Sequence, residues 1–165
     1  MHKKVSYGGL GCALAVLFIA MSAYLPTLKA ATLFVASLIT HIVVCFTNKK
    51  TGIIMYGAAS ILAFLICQSA SPVIVFSYII CFGNYPVIKK VFETQNVKLA
   101  YLLKALSYII YFSAVYFVFT AFLKVNIPFS PYFLALGGLV LFFAYDFLLE
   151  YAGMYFMNLL SKIQR

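Results

Sequence analysis

Four polar side chains lie within long apolar stretches of this sequence, and they are the first candidates for chemistry. They are His41, Asn84, Lys104 and Asp146. If those stretches cross a membrane, such groups need a reason to be there, because a charge at the centre of a spanning helix costs roughly 2.5–3.5 kcal/mol to insert. Polar groups at that depth therefore mark either a site for an ion, a substrate or a proton, or a structural clamp between helices.

Lys104 and Asp146 are predicted to form an ion pair. Each lies about six residues from the same end of its apolar stretch, which places both about 9 Å deep at 1.5 Å per residue. The two stretches are consecutive, so we expect their helices to be neighbours. Glu150 follows Asp146 at the i,i+4 spacing and is expected at the interface, near Lys98 or Lys162.

His41 and Asn84 are expected at the same depth as this pair, so the four residues form one polar layer near one side of the membrane. One interpretation is a clamp in which the ion pair and hydrogen bonds orient the helices. The other is an ion or substrate site, or a proton relay through His41 and Asp146, since histidine changes its charge near neutral pH.

The most distinctive local motif is Gly83-Asn84-Tyr85-Pro86, followed closely by two lysines. Gly83 permits a close approach or unusual backbone angles. Pro86 removes one intrahelical hydrogen bond, so it kinks the helix or marks its end. The carbonyl freed near Phe82 is expected to accept from Asn84 or from a lysine. The motif predicts a helix break at the membrane boundary, with a docking elbow for a partner as the alternative.

Small residues recur along the first apolar stretch, as Gly9-xxx-Ala13 and Gly11-xxx-Ala15. Spacings of this kind let two helices approach closely within a membrane. These four residues are therefore predicted to pack against other helices of the chain or to form a dock for another membrane protein.

Several chemistries are not supported by the residues present. The four cysteines lie on different apolar stretches and form no CxxC pair, which disfavours a metal site or a disulfide. The sequence has no HExxH, GxGxxG or phosphate-binding loop, and only three acidic residues. We therefore predict no enzymatic activity, no cofactor and no bound metal.

The elements that must position these residues are predicted to be membrane-spanning helices. The chain is 65% hydrophobic and 9% charged, with a mean hydropathy of +1.06, whereas soluble domains are roughly 25% charged. No charged residue occurs from Thr51 to Ile88, which is long enough for two crossings. The predicted fold is an all-α, polytopic bundle of six transmembrane helices in a single domain, residues 1–165. The helices are expected at about 5–25, 30–46, 52–68, 73–88, 98–123 and 131–151, with an amphipathic tail at 152–165.

The net charge of +9 is distributed as membrane anchors rather than as a nucleic-acid footprint. The basic residues occur singly or as doublets at the ends of apolar stretches, and no clustered basic face is present. Nine of them fall on one side of the predicted membrane and two, Lys29 and Lys124, on the other. Because basic residues stay on the cytoplasmic side, both termini are predicted to be cytoplasmic, in a bacterial plasma membrane.

This architecture resembles the substrate-binding S components of energy-coupling factor (ECF) transporters. Six helices in a short chain, two cytoplasmic ends and a first helix rich in small residues carry the resemblance, and uncharacterised small bacterial membrane proteins share the same plan. The resemblance implies capture of a vitamin or a metal ion from outside the cell. It also implies that Gly9, Ala13 and Ala15 dock on a transmembrane coupling protein driven by two ATPases.

The leading prediction is accordingly a substrate-capture subunit of a small-molecule transporter. The alternative is a non-catalytic scaffold or accessory subunit of a cell-envelope complex. A third class, an intramembrane enzyme or ion pathway, would use His41, Lys104 and Asp146. The expected partners are the lipid bilayer, a coupling protein with its ATPases and a small-molecule ligand, with no nucleic acid.

Overall fold

The computed structural model describes residues 2–25, 27–93, 97–122, 124 and 130–163, and this part of the chain contains helices and no β-strand. The bounds are α1 (His2–Tyr24), α2 (Lys29–Phe46), α3 (Lys49–Cys67), α4 (Pro72–Ser77), α5 (Tyr85–Phe92), α6 (Val97–Phe117) and α7 (Pro131–Ile163). A π-helical turn follows α4 at Tyr78–Phe82, and another follows α6 at Val118–Phe122.

Six helices of the described chain are long and apolar enough to cross a membrane, as the sequence predicts. The fourth joins α4, its π-helical turn and α5, and it runs from Pro72 to Phe92 rather than ending near residue 88. The sixth does not end near residue 151, because α7 continues to Ile163 with no proline to stop it. At 1.5 Å per residue its 33 residues reach about 50 Å, longer than a hydrocarbon core of about 30 Å.

The first three helices form one packed unit in which glycines allow close contact. A Cβ on Gly11 would lie 2.5 Å from Val43 Cγ2, and a Cβ on Gly52 would lie 2.3 Å from Val44 Cγ2. Ala15, Ile19, Ala36, Ala59 and Ala63 are fully buried between these helices. Many large apolar side chains face outward on α1, α3, α6 and α7, as expected where lipid surrounds the protein, whereas α2 exposes none.

The fourth crossing is interrupted at the predicted motif, but the interruption lies inside the span Pro72–Phe92 and not at the membrane boundary that the sequence predicts. In the π-helical turn the Gly83 amide donates to the Tyr78 carbonyl (2.8 Å), which leaves the Ile79 carbonyl without its usual helical partner. The Tyr56 hydroxyl donates to that carbonyl at 2.6 Å. Gly83 has ordinary helical angles, and it is needed because a Cβ there would lie 2.8 Å from ring carbons of Tyr56 and Tyr78.

Pro86 lies in the first turn of α5, so it begins a new helical segment and does not end the helix. Proline has no amide proton for the Phe82 carbonyl. The Tyr145 hydroxyl of α7 donates to that carbonyl at 3.4 Å. The expectation that Asn84 or a lysine would take this role was wrong, because a long tyrosine side chain reaches across from another helix.

Candidate functional site

The carboxylate of Asp146 is the centre of a buried group of polar side chains. Its Oδ2 accepts from Lys104 Nζ at 2.6 Å, so the structure contains the ion pair that the sequence predicts. Its Oδ1 accepts from the Tyr85 hydroxyl at 2.6 Å and from Lys89 Nζ at 2.5 Å. We call Tyr85, Lys89, Lys104, Asp146 and Glu150 the Asp146 cluster, and it ties α5, α6 and α7 together.

Lys89 is the member of the Asp146 cluster that sequence reasoning missed. Its position near the end of an apolar stretch predicts a membrane anchor at the surface, yet its side chain is fully buried. Besides the carboxylate, Lys89 Nζ donates to the backbone carbonyl of Asp146 at 3.0 Å. The available signal was the i,i+4 spacing of Tyr85 and Lys89, which places both on one face of α5. The distinctive motif and the predicted ion pair are therefore parts of one site.

Glu150 and Glu93 complete the charge balance around Lys89. The sequence predicts Glu150 at the interface near Lys98 or Lys162. The structure gives it Lys89 as a partner, with Glu150 Oε2 3.5 Å from Lys89 Nζ. The side chain of Lys162, the other expected partner, lies outside the described residues. Glu93 Oε1 lies 3.7 Å from Lys89, and Glu93 Oε2 lies 3.7 Å from Lys90. All three acidic residues of the sequence thus pair with lysines at one end of the bundle, which we call the basic end.

The structure does not unite the other two members of the predicted polar layer with Asp146. His41 is buried, its Nε2 lies 3.7 Å from Cys45 Sγ, and its Nδ1 has no hydrogen-bond partner in the described chain. Asn84 is half-buried beside the start of α5, and its side chain makes no capping hydrogen bond. No hydrogen bond joins His41 to Asp146 among the described residues, which leaves a direct relay between them without a path.

An aromatic cavity of about 240 Å³ lies next to the Asp146 cluster, between the fourth crossing, α6 and α7. Its walls include the rings of Tyr85, Tyr108, Tyr111, Phe142 and Tyr145. Tyr85 packs edge-to-face on Phe142, with ring centroids 4.9 Å apart, and on Tyr111 at 6.2 Å. Tyr85 therefore forms part of the cavity wall with its ring and holds Asp146 with its hydroxyl.

Two other tyrosines in the cavity wall use their hydroxyls in hydrogen bonds within the protein, whereas the hydroxyl of a third has no partner. Tyr108 donates to the carbonyl of Ala135, and the Tyr145 hydroxyl is hydrogen-bonded to Ser37. The Tyr111 hydroxyl is buried and has no hydrogen-bond partner in the described part of the chain. A buried hydroxyl without a partner costs about 1–3 kcal/mol, so it is a natural contact for a guest.

The small residues of α1 separate into two faces. Gly11 and Ala15 are buried inside the bundle, so they serve packing within the chain and are not available for a partner. Gly9 and Ala13 are exposed, and a Cβ on Gly9 would meet nothing within 4 Å. Only the Gly9–Ala13 pair remains open to another membrane protein.

The structure also shows where the cysteines and the possible metal-ligating side chains lie. The four cysteines are free thiols. The described residues contain no group of three or more metal-ligating side chains close enough to hold an ion. Comparisons with protein-family models, with curated proteins and with solved structures found no match to this chain. The features of this chain that bear on function are therefore the Asp146 cluster and the aromatic cavity.

Proposed function

We propose that this protein is a non-catalytic, substrate-capture subunit of a small-molecule membrane transporter and that the aromatic cavity is its binding site. The observation that carries the proposal is the cavity of about 240 Å³ with aromatic walls and the buried, unpartnered hydroxyl of Tyr111. Ligand sites are typically apolar hollows with a few polar groups that fix orientation. An engineered protein cavity of about 150 Å³ already accepts benzene, so this cavity suits a small ring compound.

Several features support a binding role without catalysis. Each of the three carboxylates pairs with a lysine, so none is left as a free general base. The cavity lies near the middle of α6 and α7, and transporter sites are commonly found near the bilayer midplane.

We further propose that the basic end is cytoplasmic, because basic residues concentrate there. A tag at either terminus should then be reached by antibody only after cells are permeabilised, and labelling of intact cells would refute this orientation.

The binding site can be tested with two variants that make the same substitution. Val115 lines the cavity, whereas Val140 is exposed on α7 and does not line it. We expect protein purified in mild detergent to retain a small apolar compound, which mass spectrometry would detect. Val115→Phe should lose it and Val140→Phe should keep it, because only the first ring fills the cavity. Equal retention by both variants, or no bound compound in the wild-type protein, would argue against the proposal.

Docking on a coupling protein can be tested on the two faces of α1. Gly9→Leu should leave the bundle stable and abolish co-purification of a membrane coupling protein and its ATPases, because Gly9 is exposed. Gly11→Leu should instead lower the stability of the bundle, because a Cβ there already lies 2.5 Å from Val43. Tagged protein that never recovers ATPases would contradict the coupling role.

One observation favours the alternative, a scaffold or accessory subunit of a cell-envelope complex. The carboxylate of Asp146 is saturated by three donors of the chain itself, as in a structural clamp. A scaffold would recover a stable stoichiometric partner with no small molecule bound. The purification described above therefore separates the two proposals by its outcome.

A further inference from the structure

A second cavity, of about 340 Å³, lies at the basic end where α2, α5 and α7 meet. It shares no lining residue with the aromatic cavity, and five of its eight lining residues are polar or charged. The lining includes His41, Lys90, Glu93, Glu150 and Gly153. The proposed transporter function assigns no role to this cavity, and a guest bound here is independent of that function.

His41 supplies the first sign that the cavity holds a guest. The residue is only 3% exposed, and its ring lies near the backbone of Pro86, but its Nδ1 makes no hydrogen bond of normal geometry among the described residues. Its ring lies directly against the backbone of α7, where a Cβ on Gly153 would come within 2.8 Å of Nε2. Glycine at this position thus allows the imidazole to line the cavity, and a guest that bonds to the ring would relieve the cost of burying it.

The charged groups of the lining are loosely paired. Lys90 Nζ lies 3.7 Å from Glu93, and Glu150 lies 3.5 Å from Lys89, whose closest partner is Asp146 at 2.5 Å. These distances exceed those of strong charge-assisted hydrogen bonds, which are about 2.7–2.9 Å. Two carboxylates and one ammonium group therefore border the cavity with capacity for further donors and acceptors.

The overall charge of this region selects the class of guest. Lys89, Lys90 and Lys104 balance Glu93, Asp146 and Glu150, so the region is neutral with its side chains ionised. A guest with a net charge would leave one charge unpaired in a partly buried site, which is costly. A guest with one positive and one negative group preserves the balance and can meet both signs in the lining.

We propose that this cavity binds a zwitterionic group composed of a primary ammonium and a phosphate. The ammonium lies between Glu93 and Glu150, and the phosphate is bound by Lys90 and His41. The cavity borders the C-terminal ends of α2 and α5 and the C-terminal part of α7. We assign it to the level of lipid head groups, because basic residues such as those of the basic end concentrate at the edge of a membrane. The group belongs to a phosphatidylethanolamine head group or to soluble glycerophosphoethanolamine. Both are phosphodiesters with one ammonium and no net charge, whereas phosphoethanolamine is a monoester with a second negative charge.

The test uses purified protein and measures lipid binding by native mass spectrometry. Phosphatidylethanolamine should bind at least about tenfold more tightly than phosphatidylglycerol, which lacks the ammonium. It should also exceed phosphatidylcholine, whose quaternary nitrogen has no proton to donate to a carboxylate. Soluble glycerophosphoethanolamine should compete at concentrations similar to those of the lipid if the head group alone is the ligand. Competition only at much higher concentrations identifies the lipid, with its acyl chains, as the source. Equal binding of the three lipids, together with no binding of glycerophosphoethanolamine, would overturn the proposal.

Matched lysine variants locate the site. Lys90→Gln should weaken phosphatidylethanolamine binding at least about tenfold, because Lys90 borders the cavity. Lys49→Gln should leave it unchanged, because Lys49 is exposed at the start of α3 and does not line the cavity. Both side chains are at least partly exposed, so both variants should fold. Equal binding by the two variants would show that general surface charge, and not this cavity, holds the lipid.

Discussion

Asp146→Ala is expected to destabilise the bundle by about 3–5 kcal/mol, the largest effect of any single substitution discussed here. The change leaves Lys89 and Lys104 buried with no carboxylate between them, and it removes the acceptor of the Tyr85 hydroxyl. The loss would be measured as a shift in the midpoint of unfolding in a mixed-detergent titration. Glu150→Ala is the control, because Glu150 is 51% exposed and 3.5 Å from its partner, so the loss should be below about 1 kcal/mol.

A combined variant distinguishes an interacting cluster from three independent contributions. Lys89→Met, Lys104→Met and Asp146→Leu together remove every charge of the buried centre and keep its volume similar. We expect this triple variant to recover much of the stability lost in Asp146→Ala, because a buried ion pair is costly mainly when one partner is missing. A triple variant as unstable as the sum of its single changes would show that the three residues do not act as one cluster.

Gly83→Ala is expected to destabilise the protein by about 1–3 kcal/mol, although alanine is normally the better helix former. The added Cβ would lie 2.8 Å from ring carbons of Tyr56 and Tyr78, and an aromatic ring cannot bend out of the way. Moving Tyr56 also weakens its hydrogen bond to the Ile79 carbonyl, which the π-helical turn has left without a helical partner.

The same substitution at Gly57 provides the control for Gly83→Ala. A Cβ on Gly57 would meet nothing within 4 Å, and the residue lies inside α3. Gly57→Ala should therefore stabilise the protein by about 0.5–1 kcal/mol, through the lower backbone entropy of alanine in the unfolded chain. Thermal unfolding of the two variants in one detergent would measure the difference, and shifts of the same sign would contradict the close approach at Gly83.

The Asp146 cluster also gives a physical link between the proposed ligand site and the basic end. The ring of Tyr85 lines the aromatic cavity while its hydroxyl bonds to Asp146, and Lys89 connects Asp146 to Glu150. Glu150 in turn borders the polar cavity. A chain of direct contacts therefore runs from one cavity to the other through α5 and α7.

Much of the architecture followed from local features of the sequence. The apolar stretches determined the six long helices, because uninterrupted apolar length is a property of the chain itself. The interruption of the fourth crossing was predictable from Pro86, which has no amide proton for the preceding turn. The Lys104–Asp146 pair was predictable because two opposite charges at equal depth on consecutive helices have few other partners.

Only the tertiary structure decided which faces of these helices meet. A helix that is apolar on every side has no hydrophobic stripe to define its inner face, so its rotation depends on packing with its neighbours. For that reason the sequence did not distinguish the buried Lys89 from an anchoring lysine, or the exposed Gly9 from the buried Gly11. The separation of His41 from Asp146 and the aromatic cavity have the same origin, since both arise where helices distant in sequence come together.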